Sequence, residues 1–441
     1  MHKVLASIFL IFISSIAFAN VSSGVDIHVV KSKPGEWKLS YKTEYTVKRL
    51  GFMRNPDQSR IERWQPISDE FTISYIDGEE YILRRDGKNF SEVQLTLTPT
   101  YKNLSKDYAP FSPFSDGGML FYSGRFFACM DSCGEETNSW NISLTIPDDE
   151  HIIVNGKVHT SFVRWQDNDS GKNIYVGKQK PIVTGSVITV IDSGLPKEIK
   201  LSLNNDIPKL MTYFEQRLGK LDGDKPTLFA SYAKVDGTSS QGGTLPNQIF
   251  MHWNSNNLES KVSDEKFIKQ TIWFFAHEVA HLYQRSSSGQ LYAESNQSWM
   301  HEGNADYLAS LALLDLYPES QQYIDTKIDR FRSQCIKGLE RFPLIEAAEK
   351  GEFGLYYTCG LFIHSAIDSV VKSKSNSMRD VYFVWNEFRN RVEKGAEIGD
   401  KTFLSVVEEY ASKELSELIN KFVEQKLKCP AKALDKLAQS L

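Results

Sequence analysis

Apolar and polar residues alternate along the first part of the chain, from about residue 20 to residue 200. The stretch DEFTISYIDGEEYILRRDGKNFSEVQLTLTP shows this alternation, and it is interrupted by the pairs Asp77-Gly78 and Asp86-Gly87. Asp-Gly pairs between alternating segments are typical of tight turns between β-strands. WNISLTIP and SVITVIDS repeat the alternation further along. We therefore predict an antiparallel β-rich domain, a sandwich or saddle, over residues 20–200.

The pattern changes near residue 201. TLFASYAK predicts a strand, the glycine-rich DGTSSQGGTLPNQ predicts a loop, and QIFMHW predicts a second strand. After Ser260, apolar residues recur with helical spacing almost to the end, as in RDVYFVWNEFRNRVEKG and SELINKFVEQKL. We expect a second domain over 201–441, with a small β lobe (201–260) and a helical lobe (261–441). The fold class is therefore α+β.

The composition is ordinary for a globular protein, with 41% hydrophobic and 24% charged residues. A chain of 441 residues is too long for one compact core. The formal net charge of −5 gives no support to nucleic acid as a partner, which usually calls for a basic surface.

The first 19 residues have the features of a signal peptide. Lys3 gives a positive start, an apolar run follows, and Ala17-Phe18-Ala19 fits the small-x-small rule for cleavage after Ala19. The run is short for the roughly 20 residues of a membrane span, which disfavours an uncleaved anchor. We predict a periplasmic or secreted protein without stable membrane insertion after cleavage.

All five cysteines lie after the predicted cleavage site. Disulfides are the expected state of cysteines in an exported protein. Cys129 and Cys133 can bridge locally, or hold a second metal ion. Cys335 and Cys359 can pair across two helical segments, which would leave Cys429 over. The sequence does not fix this connectivity.

The segment WFFAHEVAHLYQ carries the most specific chemistry. His277 and His281 are four residues apart, so on a helix they share a face and can bind one zinc ion. Glu278 lies beside them and can act on a water molecule. Ser263 and Asp264 can cap the start of this helix. The alternative is a core helix whose histidines are satisfied by core partners.

A second segment, WMHEGNADYLASLALL, supplies the groups that a zinc site still needs. Glu302 lies near the start of this predicted helix and can be the third ligand of one Zn²⁺ per chain. Asp306, one turn later, can accept the outer N–H of a ligand histidine and fix its orientation. We expect Gly303 to let this helix pack closely against the first one.

HExxH, 20 intervening residues and then WMHEGNAD resemble the gluzincin group of zinc peptidases. Within that group, W-x-x-E-G-x-A most resembles the family of membrane alanyl aminopeptidase and leukotriene hydrolase. The resemblance implies a saddle-shaped β domain followed by a thermolysin-like, mainly helical catalytic domain. It also implies a Tyr-x-x-Gly motif, here Tyr357 to Gly360, whose tyrosine donates its hydroxyl to the oxyanion. Tyr356 is the competing candidate.

The same resemblance implies an edge-strand motif of Gly-x-Met-x-Asn type, matched by GTLPN, which makes Gly243 and Asn247 candidate substrate-binding residues. The family's motif carries a glutamate that binds the free α-amine of the substrate, and Pro246 takes that place. Glu294 or Asp236 can in principle substitute. Whether the enzyme is an exo- or an endopeptidase therefore stays open.

These features predict an exported zinc-dependent metallopeptidase that acts on a peptide or protein substrate by zinc-activated water, with Glu278 as general base. One alternative is a non-catalytic protein that keeps zinc and binds a partner, although a purely structural site has no need of Glu278. Another is a hydrolase of a non-peptide substrate, since one branch of the resembling family hydrolyses an epoxide.

Overall fold

The structure is a computed structural model that describes residues 21–104, 107–134, 136–168, 170–287 and 289–439. The predicted signal peptide, residues 1–19, lies outside the described residues. Among the helices of the described ranges, none has both the length and the apolar character that crossing a bilayer requires.

Strands make up more than half of the described residues between positions 21 and 191, and they return at residue 227. In chain order they are β1 (Ser22–Lys33), β2 (Glu36–Val47), β3 (Arg49–Phe52), β4 (Trp64–Pro66), β5 (Phe71–Ile76), β6 (Glu79–Arg84), β7 (Phe90–Leu97), β8 (Phe111–Pro113), β9 (Met119–Tyr122), β10 (Ala128–Met130), β11 (Ser139–Thr145), β12 (His151–Val154), β13 (Lys157–Thr160), β14 (Phe162–Asn168), β15 (Asn173–Gly177), β16 (Ile182–Val183), β17 (Ile188–Ile191), β18 (Thr227–Ala233), β19 (Thr238–Leu245) and β20 (Gln248–Ser255).

Three sheets form the β-rich front half, in the orders β14-β11-β1-β2-β7-β4, β10-β3-β6-β5 and β13-β12-β15-β9-β8. Alternate residues of β1 (Val25, Ile27 and Val29) are buried, as a period of two requires. The three sheets share one apolar core. The pairing is antiparallel as predicted, except that β1 and β11 run parallel. The α+β fold class is confirmed.

The Asp77-Gly78 pair forms the turn between β5 and β6, which pair with each other in antiparallel register. Asp77 has φ 51° and Gly78 has φ 94°. Two successive residues with positive φ are the geometry of the tight hairpin turn, which matches the right-handed twist of the strands. The sequence prediction of a turn at this place is confirmed.

Helices dominate after residue 258. The helices are α1 (Ser59–Arg63), α2 (Lys197–Leu218), α3 (Leu258–Lys261), α4 (Glu265–Tyr283), α5 (Ser298–Leu316), α6 (Gln321–Leu339), α7 (Gly354–Lys374), α8 (Val381–Glu393), α9 (Asp400–Tyr410), α10 (Lys413–Glu424) and α11 (Pro430–Ala438).

The pattern analysis assigned no element to the residues just after position 201, where the structure has α2. Its buried residues include Leu203, Ile207, Leu210 and Phe214, which recur every three or four positions. That helical spacing was available in the sequence. Pro208 inside the helix weakens the pattern because proline removes a backbone donor.

A fourth sheet, in the order β16-β17-β18-β20-β19, supports the helical lobe. Its first two strands precede residue 200, so the sheet begins before the predicted domain boundary. The boundary itself stays a prediction.

The prediction of a loop over DGTSSQGGTLPNQ is wrong at residues 238–245, which form β19. Glycine and serine rarely favour strands. Here β19 forms because it pairs along its length with β20.

The helices α5 and α7 cross with their backbones in contact at Gly303 and Gly360. A Cβ atom added at Gly360 would lie 2.5 Å from the Trp299 carbonyl oxygen and 2.7 Å from the Cα atom of Gly303. A Cβ atom at Gly303 would clash with the backbone of Gly360. The prediction that Gly303 packs against α4 is therefore wrong, because its partner is the glycine of α7.

Two disulfides tie neighbouring elements together. Cys129 and Cys133 are bonded, and so are Cys335 of α6 and Cys359 of α7, while Cys429 is free and exposed. The two anticipated pairings are confirmed, and the alternative of a metal site at Cys129 and Cys133 is wrong. The second bridge joins α7 at the residue immediately before Gly360.

We predict that Gly360→Ala lowers the unfolding midpoint, because a methyl group has no room between two backbones. Overpacking of this kind typically costs about 1–3 kcal/mol in the free energy of unfolding. Gly354→Ala is the matched control on the same helix, since no heavy atom lies within 4 Å of its Cβ position. Thermal unfolding of both variants measures the difference. Equal midpoints would contradict the close crossing.

Candidate metal centre

The helix α4 presents both histidines of HEVAH to a cleft. The Asp264 side chain caps its start by accepting the backbone N–H of Lys266, as predicted. The aromatic and aliphatic residues Trp273, Phe275 and Val279 bury its other faces in the core of the helical lobe. Burial on several sides fixes the rotation of the helix about its axis, so that the face carrying His277 and His281 points into the cleft.

The structure brings the three predicted ligands together. The Nε2 atoms of His277 and His281 are 2.9 Å apart, and each lies 3.1 Å from Oε2 of Glu302. One possible ligand atom from each of the three residues lies within 4.8 Å of the other two. Glu302 reaches the histidines from α5, which packs directly on α4.

Asp306 holds the outer side of His277. Its Oδ1 atom lies 3.0 Å from Nδ1 of His277 and also accepts the Nε1–H of Trp273 at 2.8 Å. A carboxylate at this nitrogen favours a proton on Nδ1, which leaves the Nε2 lone pair directed at the other donors. This placement is the one expected of Asp306 from its spacing to Glu302.

The outer nitrogen of His281 has a different partner, Gln284, which the sequence analysis missed. Nδ1 of His281 lies 2.7 Å from Oε1 of Gln284. The Gln284 amide in turn donates to Oδ1 of Asn304 at 2.7 Å and to the backbone carbonyl of His301. Its spacing of three residues from His281 was a signal, because i, i+3 residues share a helix face.

The donor set fits a divalent zinc ion. If both Nδ1 atoms carry the protons that bond outward, three lone-pair donors face one another: two imidazole nitrogens and a carboxylate oxygen. Such an arrangement is repulsive unless a cation lies between the donors. Two histidines and one glutamate are an established three-ligand set for zinc at hydrolytic sites. His277, His281 and Glu302 would hold this ion.

Glu278 lies beside these donors and is held from the neighbouring strand. The hydroxyl oxygen of Thr244, in β19, lies 2.8 Å from Oε2 of Glu278 and 2.8 Å from the backbone carbonyl oxygen of the same residue, so its one proton is shared between these two acceptors. Burial raises the pKa of Glu278, and the two nearby imidazoles partly offset this effect. Thr244 was not singled out from the sequence, because a threonine in a glycine-rich segment carries no pattern that reveals its tertiary partner.

The structure separates the two tyrosine candidates. The ring of Tyr357 is stacked on that of His277, with 5.5 Å between centroids, and it lines the cleft. Burial, with the carboxylates of Glu302 and Glu278, raises the pKa of Tyr357 well above its usual range, so the hydroxyl stays protonated. Tyr356 instead points into the core and donates to the carbonyl of Ile345.

The two candidate substrate residues of GTLPN lie in different surroundings. Gly243 lines the cleft, and an added Cβ would clash with the hydroxyl of Tyr108. Asn247 lies in the β19–β20 turn with φ 58°, and its amide donates to the backbone carbonyl of Asp224 at 3.0 Å. Pro246 lines the cleft, whereas Asn247 is not among the lining residues. Substrate contact by either candidate stays a prediction.

The cleft has a volume of about 320 Å³. It lies between the front half and the helical lobe, since Tyr108 and Tyr122 contribute to one wall and α4, α5 and α7 to the others. β19 forms part of its rim and is an edge strand, paired only with β20 among the described strands. An edge of this kind can pair with an extended peptide.

Solved structures share this fold across almost the whole chain. An aminopeptidase N family protein from Idiomarina loihiensis matches with a TM-score of 0.67 and 13% identity, covering 94% of this chain and 78% of that one. The zinc metallopeptidase of the M1 family from Deinococcus radiodurans, in complex with a Tyr-Ser-Ala substrate, matches with a TM-score of 0.53 and 12% identity, covering 92% and 94%.

Yeast leukotriene A4 hydrolase matches with a TM-score of 0.56 and 13% identity, covering 91% of this chain and 67% of that one. No protein-family model matches the sequence, and no curated protein does. At these identities the likeness concerns the fold: a β-rich half followed by a helical half, as in M1 peptidases.

We predict that Asp306→Asn weakens zinc binding by about 10- to 100-fold, because it removes the charge that orients and polarises His277. Competition with a chelator at fixed pH measures the affinity. Asp329→Asn, a matched change at an exposed position of α6, leaves it unchanged. Equal affinities in the two variants would contradict the assigned role of Asp306.

Proposed function

We propose that this protein is an exported zinc-dependent metallopeptidase that hydrolyses peptide bonds. The observation that carries the proposal is the meeting of His277, His281 and Glu302 beside the buried carboxylate of Glu278 in one cleft. The shared fold of zinc peptidases supports it. The two disulfides support export, since such bonds persist in oxidising compartments.

A zinc ion at His277, His281 and Glu302 would supply Lewis acidity and lower the pKa of water toward about 7. Asp306 and Gln284 keep the imidazoles in the orientation that this requires, by accepting their outer N–H groups. We assign these two as positioning residues.

Glu278 is the general base of the proposed reaction. Its carboxylate takes a proton from the attacking water and later delivers it to the leaving amine, which completes the cleavage of the peptide C–N bond. The Thr244 hydroxyl holds one carboxylate oxygen, so that the other oxygen can face the substrate. A carboxylate fixed on one side loses less conformational entropy at the moment of proton transfer.

Tyr357 donates its hydroxyl proton as a hydrogen bond to the oxyanion that develops on the scissile carbonyl. Its stacking on His277 places the ring within the cleft, and its raised pKa keeps the proton in place at neutral pH. A donor that is already in position costs no reorganisation when charge appears.

The first experiment combines metal analysis with digestion of a peptide library by wild type and Glu278→Gln. We expect about one zinc per chain in both, and at least about a hundredfold loss of cleavage in the variant, because the base is removed while the ligands remain. If both bind zinc and neither cleaves a peptide, a zinc-containing binding protein is favoured. Glu278-dependent hydrolysis confined to non-peptide substrates would favour the other alternative.

A second prediction concerns the oxyanion donor. Tyr357→Phe lowers kcat by roughly a hundredfold or more, which is the usual effect of removing one such hydrogen bond. Tyr356→Phe is the control, since it removes the neighbouring hydroxyl, which is bonded within the core. Kinetics on the best peptide from the library measure both. A larger loss of kcat in Tyr356→Phe would assign the role to that residue instead.

A further inference from the structure

The acidic residues of the cleft are already engaged. Among the described residues that line it, the carboxylates are those of Glu278 and Glu302. Glu278 is held by Thr244, and Glu302 faces His277 and His281. A positively charged α-amine of a substrate would therefore find no carboxylate that is free to pair with it.

The two residues considered as substitutes for a glutamate at Pro246 lie elsewhere. Glu294 accepts a hydrogen bond from Asn296, and Asp236 accepts one from Asn256. Neither lines the cleft. Recognition of a free N-terminus, which needs a negative partner close to the scissile bond, has no basis in the described part of this site.

The cleft does contain a cation with no anionic partner. Arg285 lines it, and within the described ranges its guanidinium has neither an ion pair nor a hydrogen bond. Arg54 also lines the cleft, but it pairs with Asp107 at 3.3 Å. Elsewhere in the fold, a more deeply buried arginine, Arg60, is paired with Glu80. Of the two arginines that line the cleft, Arg285 is the one without an ion pair among the described residues.

Arg285 lies close to the metal ligands. It follows His281 by four residues, just beyond the end of α4, and it interacts electrostatically with Tyr292. The ring of Tyr292 is stacked on that of His301, with 3.9 Å between centroids, and His301 lies 3.3 Å from Glu302. The guanidinium is thus on the side of the site where these two rings stack.

An unpaired, partly buried guanidinium is costly, and burial lowers the pKa of Arg285 accordingly. The cost is recovered when a carboxylate binds, because the planar fork of arginine forms two parallel hydrogen bonds with it. A protein that keeps such a group in its cleft favours a negatively charged ligand there.

We propose that Arg285 selects peptides that bring a carboxylate to this cleft, and that cleavage requires no free α-amine. The proposal rests on the proposed function, because it names the substrate class of the same site. The carboxylate can belong to an Asp or Glu side chain or to the C-terminus of the peptide. This predicts an endopeptidase or a carboxylate-directed peptidase, with blocked N-termini accepted.

The test compares matched peptides that differ in one charge: Glu against Gln near the cleaved bond, C-terminal acid against amide, and free against acetylated N-terminus. For wild type we expect kcat/KM to fall about 10- to 100-fold when the recognised carboxylate is neutralised. The pair of peptides for which kcat/KM falls shows whether the recognised carboxylate is a side chain or the C-terminus. Acetylation leaves kcat/KM roughly unchanged. A strong preference for the free amine would contradict the proposal.

Arg285→Gln removes the charge preference, so that acidic and neutral peptides are cleaved at similar rates. Arg285→Lys keeps part of the preference for acidic peptides, since the positive charge remains but the planar guanidinium is lost. Arg330→Gln, at an exposed position of α6 outside the cleft, keeps all of it. If wild type and Arg285→Gln discriminate equally between the two peptides, the proposal is overturned.

Binding separates failure of this proposal from failure of the proposed function. In zinc-loaded Glu278→Gln, we expect an acidic peptide to bind about 10- to 100-fold more tightly than its neutral twin, and the difference to vanish when Arg285→Gln is added. If cleavage depends on Glu278 but the acidic and neutral peptides bind equally, only the proposed role of Arg285 is contradicted. If binding depends on the charge of the peptide but wild type cleaves no peptide, the proposed peptidase function is contradicted, and the role of Arg285 in binding a carboxylate is supported.

Discussion

The backbone contact between α5 and α7 sets the geometry of the whole metal centre. The two glycines at the contact, Gly303 and Gly360, are close in sequence to functional side chains. Glu302 immediately precedes the first, and Tyr357 lies about one turn before the second. Because the helices approach so closely, the carboxylate and the hydroxyl enter the same cleft as the imidazoles of α4. Small residues at this crossing are therefore a condition for the site.

A network of polar contacts then fixes each side chain of the site from behind. His277 is held by Asp306, His281 by Gln284, and Glu278 by Thr244. Buried polar groups are costly unless they are paired, so each contact both offsets burial and limits rotation. Asp306 of α5 and Thr244 of β19 come from elements other than α4, so the site depends on the tertiary fold.

This dependence explains what the sequence could predict. Helical spacing predicts that His277 and His281 share a face. Glu302 lies on another helix, and it was anticipated as the third ligand that a hydrolytic zinc site needs and from the resemblance of its motif. The front half could be assigned to strands from alternation, and the Asp77-Gly78 turn from its residue types. Interactions between elements could not be predicted: the partner of Gly303, the part of β19 before Gly243, and the role of Thr244 follow from packing that leaves no local pattern.

The bridge between Cys335 and Cys359 has a practical consequence for handling the protein. It fastens α7 to α6 one residue before the helix crossing that supports the site. Because both cysteines are fully buried, a thiol reductant in a purification buffer would reach this bridge when the chain unfolds or refolds. Its thiolates would also compete for zinc, since sulfur is a strong ligand for that ion. Loss of activity in such a buffer would therefore have two chemical origins, and adding metal back would repair only one of them.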